Sequence, residues 1–146
     1  MAYCESFMKE AIALSLASQE ENEVPVGAVI VKDGQIISTG QNRRERTKNA
    51  LAHAEIVAIN GACEVLGNWR LSGCDLYVTL EPCPMCAGAI FMARMQNIYF
   101  GAYDRENGAF CQGMLDIVHK QINVYGGICE EECARILTDF FKKKRS

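Results

Sequence analysis

The run Val24-Pro25-Val26-Gly27-Ala28-Val29-Ile30-Val31-Lys32-Asp33-Gly34-Gln35-Ile36-Ile37-Ser38-Thr39 reads as two strands and the turn between them. Val24 to Lys32 is β-branched and apolar, Asp33-Gly34 is a strong hairpin turn signal, and Gln35 to Thr39 returns as the second strand. Upstream, Phe7, Met8, Ala11, Ile12, Leu14 and Ala17 recur with a helical rhythm over residues 3–20. Downstream, the charged segment 41–49 reads as a loop. A helix is predicted from about Ala52 to Leu66 with Gly67 as its C-cap. Residues 75–80 read as a buried strand, and Pro82 or Pro84 suits the first turn of a helix running to about Met95. Asn97 to Gly101 is a further strand, followed by a loop over 102–112. A short helical piece over 113–120, a strand near 121–125 and a last helix from about Cys129 to Lys142 complete the pattern. A hairpin followed by strands alternating with helices implies an α/β fold: a three-layer α/β/α sandwich around a central mixed five-stranded sheet, as one domain over residues 1–146.

Composition bounds what such a domain does. Apolar residues make up 49% of the 146 and charged residues 23%, the balance of a folded globular chain rather than a disordered one. No apolar run approaches the roughly 18–20 residues that cross a bilayer, so no membrane partner is expected. Met1-Ala2-Tyr3-Cys4-Glu5-Ser6 lacks a basic stretch followed by an apolar core, so a cytoplasmic location is expected. Eight cysteines in a reducing compartment should be mostly small buried hydrophobes, with a subset available to metal. Net charge is −3, so no global positive field advertises nucleic acid. The charge is uneven, however. Arg43, Arg44, Arg46 and Lys48 crowd one segment, and Lys142-Lys143-Lys144-Arg145 form a second run. By itself each run is a solvated loop or tail.

Chemistry concentrates at the start of two helices. One opens Ala52-His53-Ala54-Glu55, and the other is preceded by Glu81-Pro82-Cys83-Pro84-Met85-Cys86. A strand separates them, so both N-termini can meet at one end of the sheet. Helix N-termini carry partial positive charge, which favours the thiolate that zinc binds. His53, Cys83 and Cys86 supply three ligands, one short of a tetrahedron, and a catalytic zinc site keeps that fourth position for water. Glu55 stands two residues beyond His53, placed to accept a proton from the water, deliver it to a ring nitrogen and help protonate a departing amine. Other readings compete. A structural zinc site needs a fourth ligand, for which Cys4, Cys63, Cys74, Cys111, Cys129 and Cys133 are available. A redox site would use Cys83 and Cys86 without needing His53 or Glu55. His-x-Glu with Pro-Cys-x-x-Cys, in this order, matches the signature of zinc nucleobase deaminases.

The resemblance is broader than that motif. Glu23-Val24-Pro25-Val26-Gly27-Ala28-Val29, Ala52-His53-Ala54-Glu55, Leu76 through Ala89, and Glu131-Glu132-Cys133 through Phe140-Phe141 resemble the bacterial tRNA-specific adenosine deaminases. The resemblance implies a cytidine deaminase-like fold, one Zn2+ per subunit, a homodimer, and conversion of the wobble adenosine in a tRNA anticodon arm to inosine. It further implies that Asn42 contacts the base, that Val26 forms part of the wall it rests on, and that the Ala54 N–H donates to it. Arg43, Arg44, Arg46 and Lys48 would then be candidate RNA contacts beside the pocket. One departure stands out: the family carries a longer loop before the last helix, and Ile117 through Val124 is several residues shorter here. His119 and Asn123 therefore receive no role. Deamination of a free base, nucleoside or nucleotide, of guanine, cytosine or adenine type, is the alternative, and a non-catalytic zinc-stabilised module is a third.

Overall fold

A computed structural model describes residues 3–111, 113 and 122–145. Helix α1 (Glu5–Gln19) leads into β1 (Gly27–Lys32) and β2 (Gln35–Gln41). A single turn, α2 (Arg44–Thr47), precedes α3 (Ala54–Leu66), β3 (Cys74–Leu80), α4 (Pro84–Met92) and β4 (Asn97–Ala102). Strand β5 (Asn123–Tyr125) and helix α5 (Glu130–Arg145) follow. The strands lie in the order β2-β1-β3-β4-β5, with β1 antiparallel to both β2 and β3, and β3, β4 and β5 parallel. This is the mixed five-stranded sheet the pattern implied.

Alternation along the strands builds the two cores. Ala28, Ile30, Leu76, Val78, Ile98 and Phe100 face α3 and α4, whereas Val29, Val31, Tyr77 and Tyr99 face α1 and α5. Successive side chains point to opposite faces, so central strands covered on both sides are apolar at most positions, and the buried exceptions are hydrogen-bonded: Asn97 Nδ2 donates to Asp75 and Thr79 accepts from Gly27 N. Burying each of the Val, Ile, Leu and Phe side chains stabilises the fold by roughly 1.5–3 kcal/mol. Asp33 (φ 51°) and Gly34 (φ 77°) both take positive φ, the two-residue turn whose twist matches the strands it joins. Gly27 lies against the backbone of α1 and Gly40 against that of α3, where a Cβ would strike Ala11 O and Ala54 O respectively.

Several expected boundaries shift, for local reasons. Strand β1 begins at Gly27 rather than Val24, because Pro25 has no N–H and the carbonyls of Val24 and Val26 accept from Asn42 instead. The segment 41–49 is not all loop: the buried Glu23 carboxylate accepts the N–H groups of Glu45 (3.1 Å) and Arg46 (2.9 Å) and stabilises the turn α2. Helix α4 stops at Met92, short of Met95, with Arg94 in the left-handed region at φ 63°. The last helix starts at Glu130, after Cys129 at φ 55°, and extends to Arg145. Gly67 caps α3 at φ 61° as expected. Of the helical piece expected over 113–120 only Gly113 is described, and His119 lies outside the described residues. Among the described residues no helix is long and apolar enough to cross a membrane.

Candidate active site

The parallel pairing of β3 and β4 and the antiparallel pairing of β1 and β3 bring the starts of α3 and α4 to one end of the sheet. His53 is the N-cap of α3 (φ −71°, ψ 154°) and Cys83 the N-cap of α4 (φ −73°, ψ 171°), and neither side chain caps its own helix. Ser, Thr, Asp or Asn at such a position typically contributes about 1 kcal/mol. His and Cys stand there instead, with their side chains turned toward one another. Pro84 opens α4, where its missing N–H is not needed.

His53 Nδ1 lies 3.6 Å from Cys83 Sγ and 3.5 Å from Cys86 Sγ. Tetrahedral zinc with bonds of about 2.3 Å to sulfur and 2.0–2.1 Å to nitrogen places such atoms ~3.6 Å apart. The donor set therefore has the spacing of three corners of a tetrahedron. The ligand atoms all lie within 4.8 Å of one another, and among the described residues this is the one such group. Cys4, Cys63, Cys74, Cys111, Cys129 and Cys133 are free thiols elsewhere. No described residue supplies a fourth protein ligand, which disfavours a closed structural site.

The thiols share one proton. Cys83 is held down to about 4, chiefly because it accepts from Cys86 and from His53. Cys86 is driven well above the ordinary thiol range because it donates into that thiolate and is buried. His53 is raised by its hydrogen bond to Cys83. A divalent cation held here would displace that proton and leave both sulfurs as thiolates. Glu55 is 4% exposed, and burial pushes its carboxyl up to about 7. It stands beside the cluster without belonging to it.

His53, Glu55 and Cys83 line a cleft of about 890 Å³ together with Val26, Asn42, Ala54 and Arg44, while Cys86 is fully buried. That volume suits a nucleobase with its sugar. Val26 and Ala54 are buried, and Ala54, as the first residue of α3, presents an N–H with no intrahelical acceptor. Asn42 borders the cleft but is already engaged: Nδ2 donates to Val24 O and Oδ1 accepts from Arg44 N, both at 3.3 Å. It braces the loop as well as facing the site. The basic cluster divides. Arg44 borders the cleft, whereas Arg43, Arg46 and Lys48 are exposed outside its lining, with Arg46 paired to Glu21 at 2.7 Å.

Sequence reasoning missed Glu23 and Glu81, two buried carboxylates that accept loop N–H groups, and Tyr103, Leu137 and Phe141, which line the cleft. Leu137 and Phe141 are spaced i, i+4 on α5, and that spacing was a usable signal.

A family model described as the cytidine and deoxycytidylate deaminase zinc-binding region matches residues 1–102. The chain is 45% identical over 151 residues to a tRNA-specific adenosine deaminase of Bacillus subtilis (strain 168), covering 99% of this chain and 92% of that protein. A solved structure from a study of A-to-I editing by tRNA:A34 deaminases superposes with a TM-score of 0.86 at 44% identity, covering 92% of this chain and all of that one. A guanine deaminase from Bacillus subtilis is 45% identical, but covers only 70% of this chain and 66% of its own, with a TM-score of 0.67. Spacing of the donor atoms, the carboxylate beside them and similarity along nearly the whole chain agree: the protein belongs to the tRNA-specific adenosine deaminases, zinc-dependent hydrolytic enzymes with the cytidine deaminase-like fold.

Proposed function

We propose that the protein converts adenosine to inosine at the wobble position of a tRNA anticodon, with His53, Cys83 and Cys86 as zinc ligands and Glu55 as the proton carrier. The observation that carries this reading is the three-cornered donor set with a buried carboxylate beside it, His53, Cys83 and Glu55 lining a cleft that Arg44 also lines. Zinc, when bound, supplies the Lewis acidity that makes water a nucleophile near neutral pH. The chain does the rest. Glu55 accepts one proton from the attacking water and delivers it to the ring nitrogen next to the reacting carbon. A carbon–oxygen bond forms, and the carbon–nitrogen bond to the exocyclic amine then breaks. Glu55 passes the second proton to that amine, which leaves as ammonia. The Ala54 N–H and the Asn42 amide orient the base, and Val26 supports its face. The border is suited to polynucleotide: Arg44 offers a phosphate contact, and Tyr103 and Phe141, 47% and 44% exposed, offer rings to flanking bases.

An anticodon stem-loop with adenosine at the wobble position should be deaminated in preference to free adenosine, read as ammonia release. An anticodon loop presents its bases already unpaired, which lowers the cost of placing one in the cleft. Efficient turnover of guanine, cytosine, adenine or their nucleosides, with the stem-loop ignored at low salt, would establish the small-molecule reading instead. A cytoplasmic location goes with the tRNA substrate.

The active species is a homodimer. Met85, Gly88, Ala89 and Met92 form one face of α4, each at least partly exposed, and a Cβ at Gly88 would meet nothing. A helix apolar on every side calls for cover on every side, and an identical face from a second copy supplies it. The wild type should sediment at the dimer mass and Met92→Glu at the monomer mass, with zinc content equal in both. A monomeric wild type refutes the dimer.

A further inference from the structure

The geometry points to Glu81 as a positioning residue: its carboxylate holds the 103–111 loop as the outer wall of the cleft and so governs how tightly a polynucleotide substrate is held. Glu81 is 2% exposed, and its carboxylate is held by hydrogen bonds from the loop that follows β4. Among the described residues its hydrogen-bond partners are all on one loop. Oε1 accepts the N–H of Asp104 at 2.9 Å and the Cys111 thiol at 3.1 Å. Oε2 accepts the N–H groups of Phe110 at 3.0 Å and Cys111 at 2.9 Å. The two oxygens thus tie the beginning of the loop to its end. Between those ties the chain folds on itself: Asp104 Oδ1 accepts from Glu106 and Asn107, and Asp104 O accepts from Gly108 at 2.8 Å.

Gly108 lies directly on the carboxylate. A Cβ there would strike Glu81 Cδ and Oε2, so only glycine lets the loop close over the charge. The backbone on either side of Glu81 is tied as well, through Glu81 N to Ala102 O and Ala109 N to Pro82 O, both at 2.9 Å. Tyr103 through Asn107, which this carboxylate organises, form one wall of the cleft. Hydrogen bonds to an ionised acceptor are the stronger kind, so a single buried carboxylate can hold a loop that has little apolar surface to bury. Glu81 lines the same cleft, but among the described residues its carboxylate hydrogen-bonds the loop and not His53, Cys83 or Cys86, so its effect should appear in substrate holding rather than in the proton steps at Glu55.

This inference rests on the polynucleotide reading above, and the test separates the two. Glu81→Gln keeps the size but turns an amide N–H₂ toward one of the loop's donors, so one end of the loop must let go. In the zinc-loaded dimer, hydrogen exchange at Asp104, Phe110 and Cys111 should accelerate by about tenfold or more. KM for the anticodon stem-loop should rise by about tenfold, with kcat within about threefold of wild type. Zinc content should be unchanged. Gly108→Ala presses on the same carboxylate from the other side and should reproduce the pattern, which keeps the test open if Glu81→Gln does not fold. Unchanged exchange, unchanged KM, a fall confined to kcat, or loss of zinc overturns the assignment. A wild type inert toward the stem-loop instead overturns the polynucleotide reading, and the exchange measurement still reports whether Glu81 holds the loop.

Discussion

Glu55→Gln is expected to lower kcat by at least the roughly 10²–10⁴-fold typical of losing a general acid–base, while the zinc content stays at the wild-type level. Glutamine fills the same volume and can still accept a hydrogen bond, but it cannot take up a proton and give it back. The proposed ligands His53, Cys83 and Cys86 are untouched, so metal retention distinguishes a lost proton carrier from a damaged site. Retained activity would assign the proton to another group. A second readout follows from burial. The metal-free protein holds the Glu55 carboxyl at about 7, above its ordinary value of 4.5. A raised carboxyl binds its proton more tightly folded than unfolded, so the metal-free fold loses stability as pH rises from 4.5 to about 7. The loss is on the order of 3 kcal/mol above that window. Glu55→Gln removes the penalty, and the metal-free variant should therefore melt higher than metal-free wild type at pH 8. A bound cation favours the ionised form, so the acid limb of kcat/KM should lie below 7, with activity falling as pH drops through it. Such a group costs stability in the metal-free fold, which fits the proposed role of Glu55 as proton carrier.

Replacing Arg43 and Arg44 together with alanine should raise KM for the stem-loop and flatten its salt dependence. Net charge is −3, so attraction to phosphate must come from local clusters rather than from the whole field. Each lost phosphate contact removes about 0.7–0.9 from the log–log salt slope. Two contacts correspond to a wild-type advantage that shrinks by about tenfold between 50 and 200 mM salt. The loop itself survives the double substitution, because its supports are backbone groups: Arg43 N to Ala52 O, Arg44 N to Asn42 Oδ1, and Glu45 and Arg46 N to Glu23. An unchanged slope would show that RNA approaches from elsewhere. Arg46, held by Glu21, should contribute less than Arg44.

Much of this protein was legible from neighbouring residues alone. The β-branched run before Asp33-Gly34 specified a buried hairpin, because alternation and the twist of a two-residue turn depend on the residues in hand. Gly67 marked the end of a helix for the same reason. The pairing of His53 with Glu55, and of Cys83 with Cys86, announced a zinc deaminase because both spacings lie within a single turn. Where boundaries slipped, as at Val24 and Met95, the cause was a hydrogen bond or a left-handed residue that pattern does not reveal.

What only the tertiary structure decided is which distant groups meet. His53 reaches Cys83 and Cys86 because β3 pairs antiparallel with β1 and parallel with β4, and that brings two helix starts within 3.6 Å contact. Asn42 is divided between cleft and loop, and only Arg44 among the clustered cations borders the site. Glu23 and Glu81 look in sequence like ordinary solvent-facing acids. Their role depends on backbone N–H groups 22 to 30 residues away, folded back onto them by the loops they hold. Dihedral preference and periodicity are local and can be read along the chain. A buried charge is satisfied by whatever the fold brings to it, and that is set by the order of strands in the sheet.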